Sequence, residues 1–222
     1  MSPGAISKLR VMIVDDHPIV RQGLVSRISA QPDMLISGEA DDVDGALRLI
    51  SEDKPDIAIV DIGLKQSDGL ELIRSLKSRG LPVGCIVFSI FDESAYAERC
   101  LHAGARGYVN KGADSAEVIN AIRAVHAGQL YLSPEMANQI LGRKARTNWV
   151  AEPIDTLTDR QLEVFRLMGE GKTMSEISES LYISINTVAT HRDHIKNKLN
   201  VKSVSELTCR AAVWVAEHRD PG

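Results

Sequence analysis

Five polar residues stand where apolar runs end. Asp15 and Asp16 follow residues 9–14, Asp61 follows 57–60, Ser89 follows 83–88 and Lys111 follows 107–110. Carboxylates, a hydroxyl and an ammonium form a set able to hold a hard cation and a phosphoryl group. Mg2+ takes carboxylate oxygens and water, with phosphate oxygens completing its shell. Three acids brought close together are unstable unless a cation or a proton joins them. Ser89 can donate to a phosphoryl oxygen, and Lys111 supplies positive charge. Such a set favours phosphoryl transfer onto a carboxylate, where positioning and charge neutralisation dominate. A lone Asp at a strand end is more often a helix cap, so the surrounding elements must decide.

Residues 57–61 are apolar on both parities before the Asp, which predicts a strand buried on both faces of a parallel sheet. Apolar runs at 9–14, 35–40, 83–89 and 107–110 read as four more strands. Between and after them, 19–30, 43–52, 70–78, 94–102 and 115–127 have helical spacing. Five strands alternating with five helices predict an α/β doubly wound, five-stranded parallel sheet of order 2-1-3-4-5 with right-handed crossovers. In that order the first and third strands are neighbours, so their carboxylates meet at the carboxyl edge where ligands bind. Two other chemistries stay open. A flavodoxin-type phosphate loop after the first strand would meet repulsion from Asp15-Asp16. An aspartyl phosphatase often has a second Asp two residues after the first, where this chain has Gly63.

The net charge is −4, and it is uneven. Asp plus Glu against Lys plus Arg is 18 against 14 over residues 1–130, and 12 against 12 over 131–222. Cys85, Cys100 and Cys209 are scattered and show no metal spacing, which suggests reduced thiols. There is no signal-peptide pattern before Asp15-Asp16 and no membrane-length apolar run, so a cytoplasmic protein without a membrane partner is expected.

The chain divides into residues 1–128, a linker with a short helix over 129–156, and 157–222. The linker contains Trp149. The last part has no strand pattern. Thr158–Gln161, Thr173–Glu176 and Ser203–Glu206 fit capping boxes, and Ser184 is a further N-cap. Helices are predicted at 159–170, 174–181, 185–199 and 204–216, an all-α four-helix domain. The second and third make a helix-turn-helix, whose second helix would enter the major groove of double-stranded DNA. Val188, Ile195 and Leu199 form its inner face. Asn186, Thr187, Ala189, Thr190, Asp193 and Asn197 face outward, with Arg192, Lys196, Lys198 and Lys202 as phosphate contacts. Asp193 could accept from a cytosine amino group or pair with Lys196 three residues on; the pairing is favoured. In the final helix, Leu207, Ala211, Val213 and Trp214 are available for packing.

The first part resembles a response-regulator receiver domain of the CheY-like fold. The match rests on Asp15-Asp16, Asp61, Asp68-Gly69, Ser89 and the run Gly104–Lys111. The resemblance implies Asp61 as phosphoacceptor, and Asp15, Asp16, Asp61 and the Gly63 carbonyl around Mg2+. It implies Ser89 and Lys111 on the phosphoryl group, and Tyr108 as an aromatic switch that turns inward. Lys65 stands where the family usually has Pro. The last part is similar to LuxR-type DNA-binding domains through Leu157-Thr158, Glu163, Gly171, Glu176-Ile177, Leu181, Ser184, Thr187-Val188, His191, Ile195 and Lys198-Leu199, with Ala189 where many members carry Lys. Together they resemble a NarL/FixJ-type response regulator. That implies a sensor histidine kinase as phosphate source, a homodimer formed on activation through the final helix, and RNA polymerase as a further candidate partner. A regulator rather than an enzyme is expected. The alternatives are a regulator of this fold that works without phosphorylation, and a Mg2+-dependent aspartyl phosphotransferase.

Overall fold

The computed structural model describes residues 8–64, 68–91, 93–144 and 153–217. Lys65 and Trp149 lie outside these residues. The chain forms two units, Met1–Gly142 and Arg143–Gly222.

In the first unit, runs rich in β-branched residues become β1 (Leu9–Val14), β2 (Met34–Ala40), β3 (Ile57–Val60), β4 (Gly84–Ser89) and β5 (Gly107–Asn110). The sheet order is β2-β1-β3-β4-β5, all pairs parallel, as the sequence predicts. All four residues of β3 are buried, because both faces of the central strand are covered. The amphipathic segments become α1 (Pro18–Ser29), α2 (Val43–Asp53), α3 (Gly69–Ser78), α4 (Glu93–Ala103) and α5 (Ser115–His126). Leu24 and Ile28 of α1 and Val118, Ile122 and Val125 of α5 share one core with Val11, Ile13, Ile57, Ile59 and Ile86. Alternation along the strands turns Met12, Val14, Ala58 and Val60 to the opposite face, and all four are buried.

Side-chain caps come from Asp42 on α2, Asp68 on α3 and Asp114 on α5. Asp15, Asp16 and Asp61 therefore have some other role. β3 stops at Val60, one residue short of the predicted end, yet the Asp61 amide still donates to the Val14 carbonyl at 2.8 Å. That bond anchors Asp61 to the neighbouring strand.

The first unit continues past residue 128, where the sequence suggests a linker. Tyr131 lies along the outer edge of β5, its amide donating to the Arg106 carbonyl while its own carbonyl accepts from the Tyr108 amide, both at 2.9 Å. The edge strand thus finds partners for groups that would otherwise be open. Met136, in α6 (Pro134–Lys144), is buried.

The second unit holds a 3-10 turn (Pro153–Thr156), α7 (Asp159–Gly169), α8 (Met174–Leu181), α9 (Ile185–Lys198) and α10 (Val204–Glu217). Both expected capping boxes at Thr158 and Thr173 form. At the third, the Glu206 amide bonds Ser203 Oγ, but the Glu206 carboxylate accepts from the Lys202 amide instead. Leu162, Phe165, Ile177, Leu181, Val188, Ile195, Leu199, Leu207 and Trp214 are among the residues that build its core.

Candidate metal centre and nucleic-acid interface

The loops after β1 and β3 bring Asp15, Asp16 and Asp61 together at the carboxyl edge of the sheet. With His17 they offer four ligand atoms within 4.8 Å of one another. Asp15 is 1% exposed and Asp61 4%, so two charges stand almost wholly out of water. Lys111, at the end of β5, answers them: its Nζ lies 2.6 Å from Asp61 Oδ2 and 2.8 Å from Asp15 Oδ2. The Lys111 amide donates to the Ser89 carbonyl, which ties the ends of β4 and β5 together at the site. Gly63 donates its amide to Asp61 Oδ1 at 2.9 Å.

The electrostatics follow from burial. Desolvation pushes the Asp61 carboxyl up, Lys111 pulls it down and Asp15 pushes it up again, leaving it above its ordinary value. Desolvation alone would lower the Lys111 ammonium, but Asp61 and Asp15 hold it above its ordinary value. One lysine does not balance three carboxylates. The donor set is hard oxygen with a charge deficit, which fits a divalent cation.

Ser89 is fully buried and accepts from the Phe91 amide at 3.3 Å. Tyr108 departs from expectation. A residue expected to turn inward on activation is already inside, 3% exposed, its hydroxyl donating to the Phe91 carbonyl at 3.0 Å. Asn110 Nδ2 donates to the same carbonyl at 3.0 Å. Burial holds the Tyr108 hydroxyl well above its ordinary value, so it stays a donor.

Sequence reasoning missed His17. The signal was the run Asp15-Asp16-His17, an imidazole directly after two acids. The ring Nδ1 lies 2.8 Å from Asp16 Oδ1, 3.2 Å from Asp15 Oδ1 and 3.9 Å from Asp61 Oδ2.

In the second unit, α8 and α9 are separated only by Tyr182, Ile183 and Ser184. Tyr182 takes a left-handed conformation (φ 53°) that ends α8, and Ser184 Oγ accepts from the Thr187 amide to start α9. Val188, Ile195 and Leu199 are buried, as their spacing predicts. Asn186, Thr187, Thr190, Asp193, Lys198 and Lys202 are exposed, and Ala189, Arg192 and Lys196 half-buried. Several of these are engaged locally. Thr187 Oγ1 pairs with Ser184 Oγ, and Thr190 Oγ1 donates to the Asn186 carbonyl. Arg192 donates through Nε and a terminal nitrogen to Asp193 Oδ1 at 3.1 and 3.0 Å. The partner of Asp193 is thus its neighbour, not Lys196, because the long Arg side chain reaches it without crossing a helical turn. Lys198 gives hydrogen bonds to the Thr156 carbonyl and Gln161 Oε1, both 2.8 Å, so it fastens α9 to the entry of its own domain. His191 is half-buried; desolvation, then Arg160 and His194, lower its imidazole below the ordinary value.

The expected dimer face needs correction. Leu207, Ala211 and Trp214 are buried inside the unit, where α10 packs on α7. Trp214 meets Phe165 at 6.1 Å between ring centroids. Gly169 lets the chains approach: a Cβ there would lie 2.6 Å from the Ala211 carbonyl carbon. Only Val213 of the four, 58% exposed, is free to meet a partner.

Among the described residues no helix is long and apolar enough to cross a membrane. Residues 11–123 match the model of the response regulator receiver domain, and residues 155–211 that of the bacterial regulatory proteins of the luxR family. The transcriptional regulatory protein LiaR of Bacillus subtilis is 37% identical over 96% of this chain and 98% of its own length. The response regulator GacA of Pseudomonas aeruginosa is 32% identical over 91% and 95%. A crystal structure of a LuxR-family two-component response regulator from an Aurantimonas species is 37% identical, covers 63% of this chain and 99% of its own, and superposes with a TM-score of 0.58.

Proposed function

The chain belongs to the NarL/FixJ-type response regulators, a receiver domain joined to a LuxR-type DNA-binding domain, and from that membership we propose that it is a cytoplasmic transcription regulator switched by phosphorylation of Asp61. The observation that carries this is the Lys111 ammonium bridging Asp15 and Asp61 beside Asp16. Asp61 is the nucleophile. A carboxylate oxygen forms a bond to phosphorus while the bond from phosphorus to the donor's leaving group breaks, which in a sensor histidine kinase is the imidazole nitrogen. Asp15, Asp16, Asp61 and the Gly63 carbonyl would hold Mg2+, which supplies charge for the transferring oxygens. Lys111 and Ser89 bind the phosphoryl group once it has arrived, and Lys111 exchanges one anionic partner for another.

The chain is read as a regulator, not an enzyme with turnover. Phosphorylation then favours a homodimer on double-stranded DNA, where RNA polymerase can be met. Asn186, Thr187, Ala189 and Thr190, on the first turns of α9, would reach bases, since the first turns of a recognition helix reach furthest into the groove. Arg192, Lys196 and Lys202 contact phosphates.

A small-molecule phosphodonor with Mg2+ should add one phosphoryl group per chain. Asp61→Asn should abolish labelling, and Asp16→Ala should weaken it through loss of metal. Undiminished labelling of the Asn variant, or sustained release of phosphate over many turnovers, would overturn the assignment in favour of another acceptor or of a phosphotransferase.

A further inference from the structure

His17 stands at the N-cap of α1, a position that Ser, Thr, Asp or Asn usually fill to bond a free helix amide. Its side chain makes no such bond. Pro18 follows, which confines His17 to extended backbone, observed at φ −96° and ψ 106°. The His17 amide donates to Asp15 Oδ1 at 2.8 Å, which fixes the direction of the side chain further. So held, the ring turns away from the helix and places Nδ1 among the three carboxylates at the distances given above. All four donor atoms lie within 4.8 Å of one another, and ligand bonds of about 2.0–2.2 Å span at most about 4.4 Å, so a small inward movement of the side chains closes them on one ion.

We propose that His17 is a fourth ligand of this centre, so that the pocket binds divalent transition ions (Mn2+, Co2+, Ni2+ or Zn2+) through three carboxylates and an imidazole, while Mg2+ is held by oxygen alone. The inference rests on reading Asp15, Asp16 and Asp61 as metal ligands and extends that reading to a nitrogen donor. Imidazole suits transition ions and adds little for Mg2+, whose preference is for oxygen. With its proton on Nε2, the ring offers a lone pair at Nδ1 without adding charge. Lys111 offsets one carboxylate and leaves a deficit that a divalent ion would meet. The ring is 43% exposed, so packing does not prevent the small rotation that coordination requires.

The test uses the full chain, with Mn2+ alone as probe. Pulsed EPR of bound Mn2+ should show coupling to an imidazole nitrogen, and His17→Ala and His17→Asn should both remove it, the Asn variant keeping a competent helix cap. By titration the same variants should bind Co2+ or Ni2+ roughly tenfold or more weakly, the scale seen when even an outer-shell group is lost. Their Mg2+ affinity, read by displacement of Mn2+, should stay within about threefold, since imidazole adds little for a hard ion. Mn2+ bound without nitrogen coupling would refute the role of His17 and leave the carboxylate site standing. Failure of both Mn2+ and Mg2+ to bind would refute the carboxylate reading, and this proposal with it.

Discussion

For single residues the central problem of the pocket is charge. Asp61 is buried, faces Asp15, and is only partly compensated by Lys111, so its carboxyl titrates above the ordinary value. A carboxyl whose folded value lies above its unfolded value stabilises the fold while protonated. That contribution is present below the unfolded value and lost as pH rises through the folded one. The metal-free protein should therefore lose stability from this group as acid gives way to neutrality, and a divalent cation should return it. At ten times its dissociation constant, Mg2+ should add about 1.4 kcal/mol near neutral pH. The increment should shrink in acid, where the ligand oxygens carry protons. Asp61→Asn removes the buried charge, so it should raise the metal-free melting temperature at neutral pH and reduce the gain from Mg2+. Thermal melts with and without Mg2+ at two pH values measure all three effects. A lower metal-free melting temperature for the Asn variant would show that Lys111 more than compensates the charge.

Among the elements, the junction of β3, its loop and α3 carries the most consequence. Gly69 opens α3, and a Cβ there would collide with the Asp61 carbonyl oxygen and lie 2.8 Å from the Ile62 Cα. The helix is pressed against the backbone that carries the acceptor, and the missing side chain makes the approach possible. Gly69→Ala should cost about 1–3 kcal/mol by overpacking and slow phosphorylation of Asp61 by displacing it. Asp68→Ala loses the cap on Leu70, about 1 kcal/mol, and a long, partly exposed pairing with Arg74 at 4.0 Å, and should leave the labelling rate nearly intact. Urea melts beside a phosphodonor time course separate the two, and equal rates for both variants would argue against the steric account. The sequence singled out Asp68-Gly69 without showing what Gly69 touches. The same limit explains what else was and was not legible. Strand order and the meeting of Asp15, Asp61, Ser89 and Lys111 follow from apolar periodicity, because strand ends of a parallel sheet share an edge. Periodicity says that Leu207, Ala211 and Trp214 are covered, but not by what, and α7 covers them rather than a second copy. It is equally silent on Tyr108 already lying inside, and on a lysine such as Lys198 turning back to its own domain. His17 was hidden for another reason: its proximity to the acids depends on a backbone direction set by Pro18, which no helical or strand repeat encodes.

In the whole molecule, a receiver with an excess of negative charge is joined to a helical domain that has none of either sign. Non-specific DNA affinity scales with the phosphates neutralised, so one helical domain with Arg192, Lys196 and Lys202 as its phosphate contacts should bind weakly. Two copies on adjacent half-sites bind as a linked pair, the second at high effective concentration, and gain affinity without any new contact to DNA. On the proposed reading, control of pairing would be control of occupancy, and the phosphoryl group on Asp61 would supply it. The surface available for pairing on α10 is the face around Val213, since the opposite face is filled by α7. Phosphorylated protein should protect two half-sites roughly one helical turn, about 34–36 Å, apart. Its affinity should fall with salt about twice as steeply on a logarithmic scale as that of the single-copy complex, because the slope follows the number of phosphates contacted. Val213→Asp should keep the fold, as an exposed position, and keep one-site binding while losing the second half-site. Asp61→Asn should behave the same way at every level of phosphodonor. Footprints across a salt series for the three proteins decide the matter: a single protected half-site at saturating phosphorylated protein would refute pairing, and two half-sites for Val213→Asp would move the interface off α10.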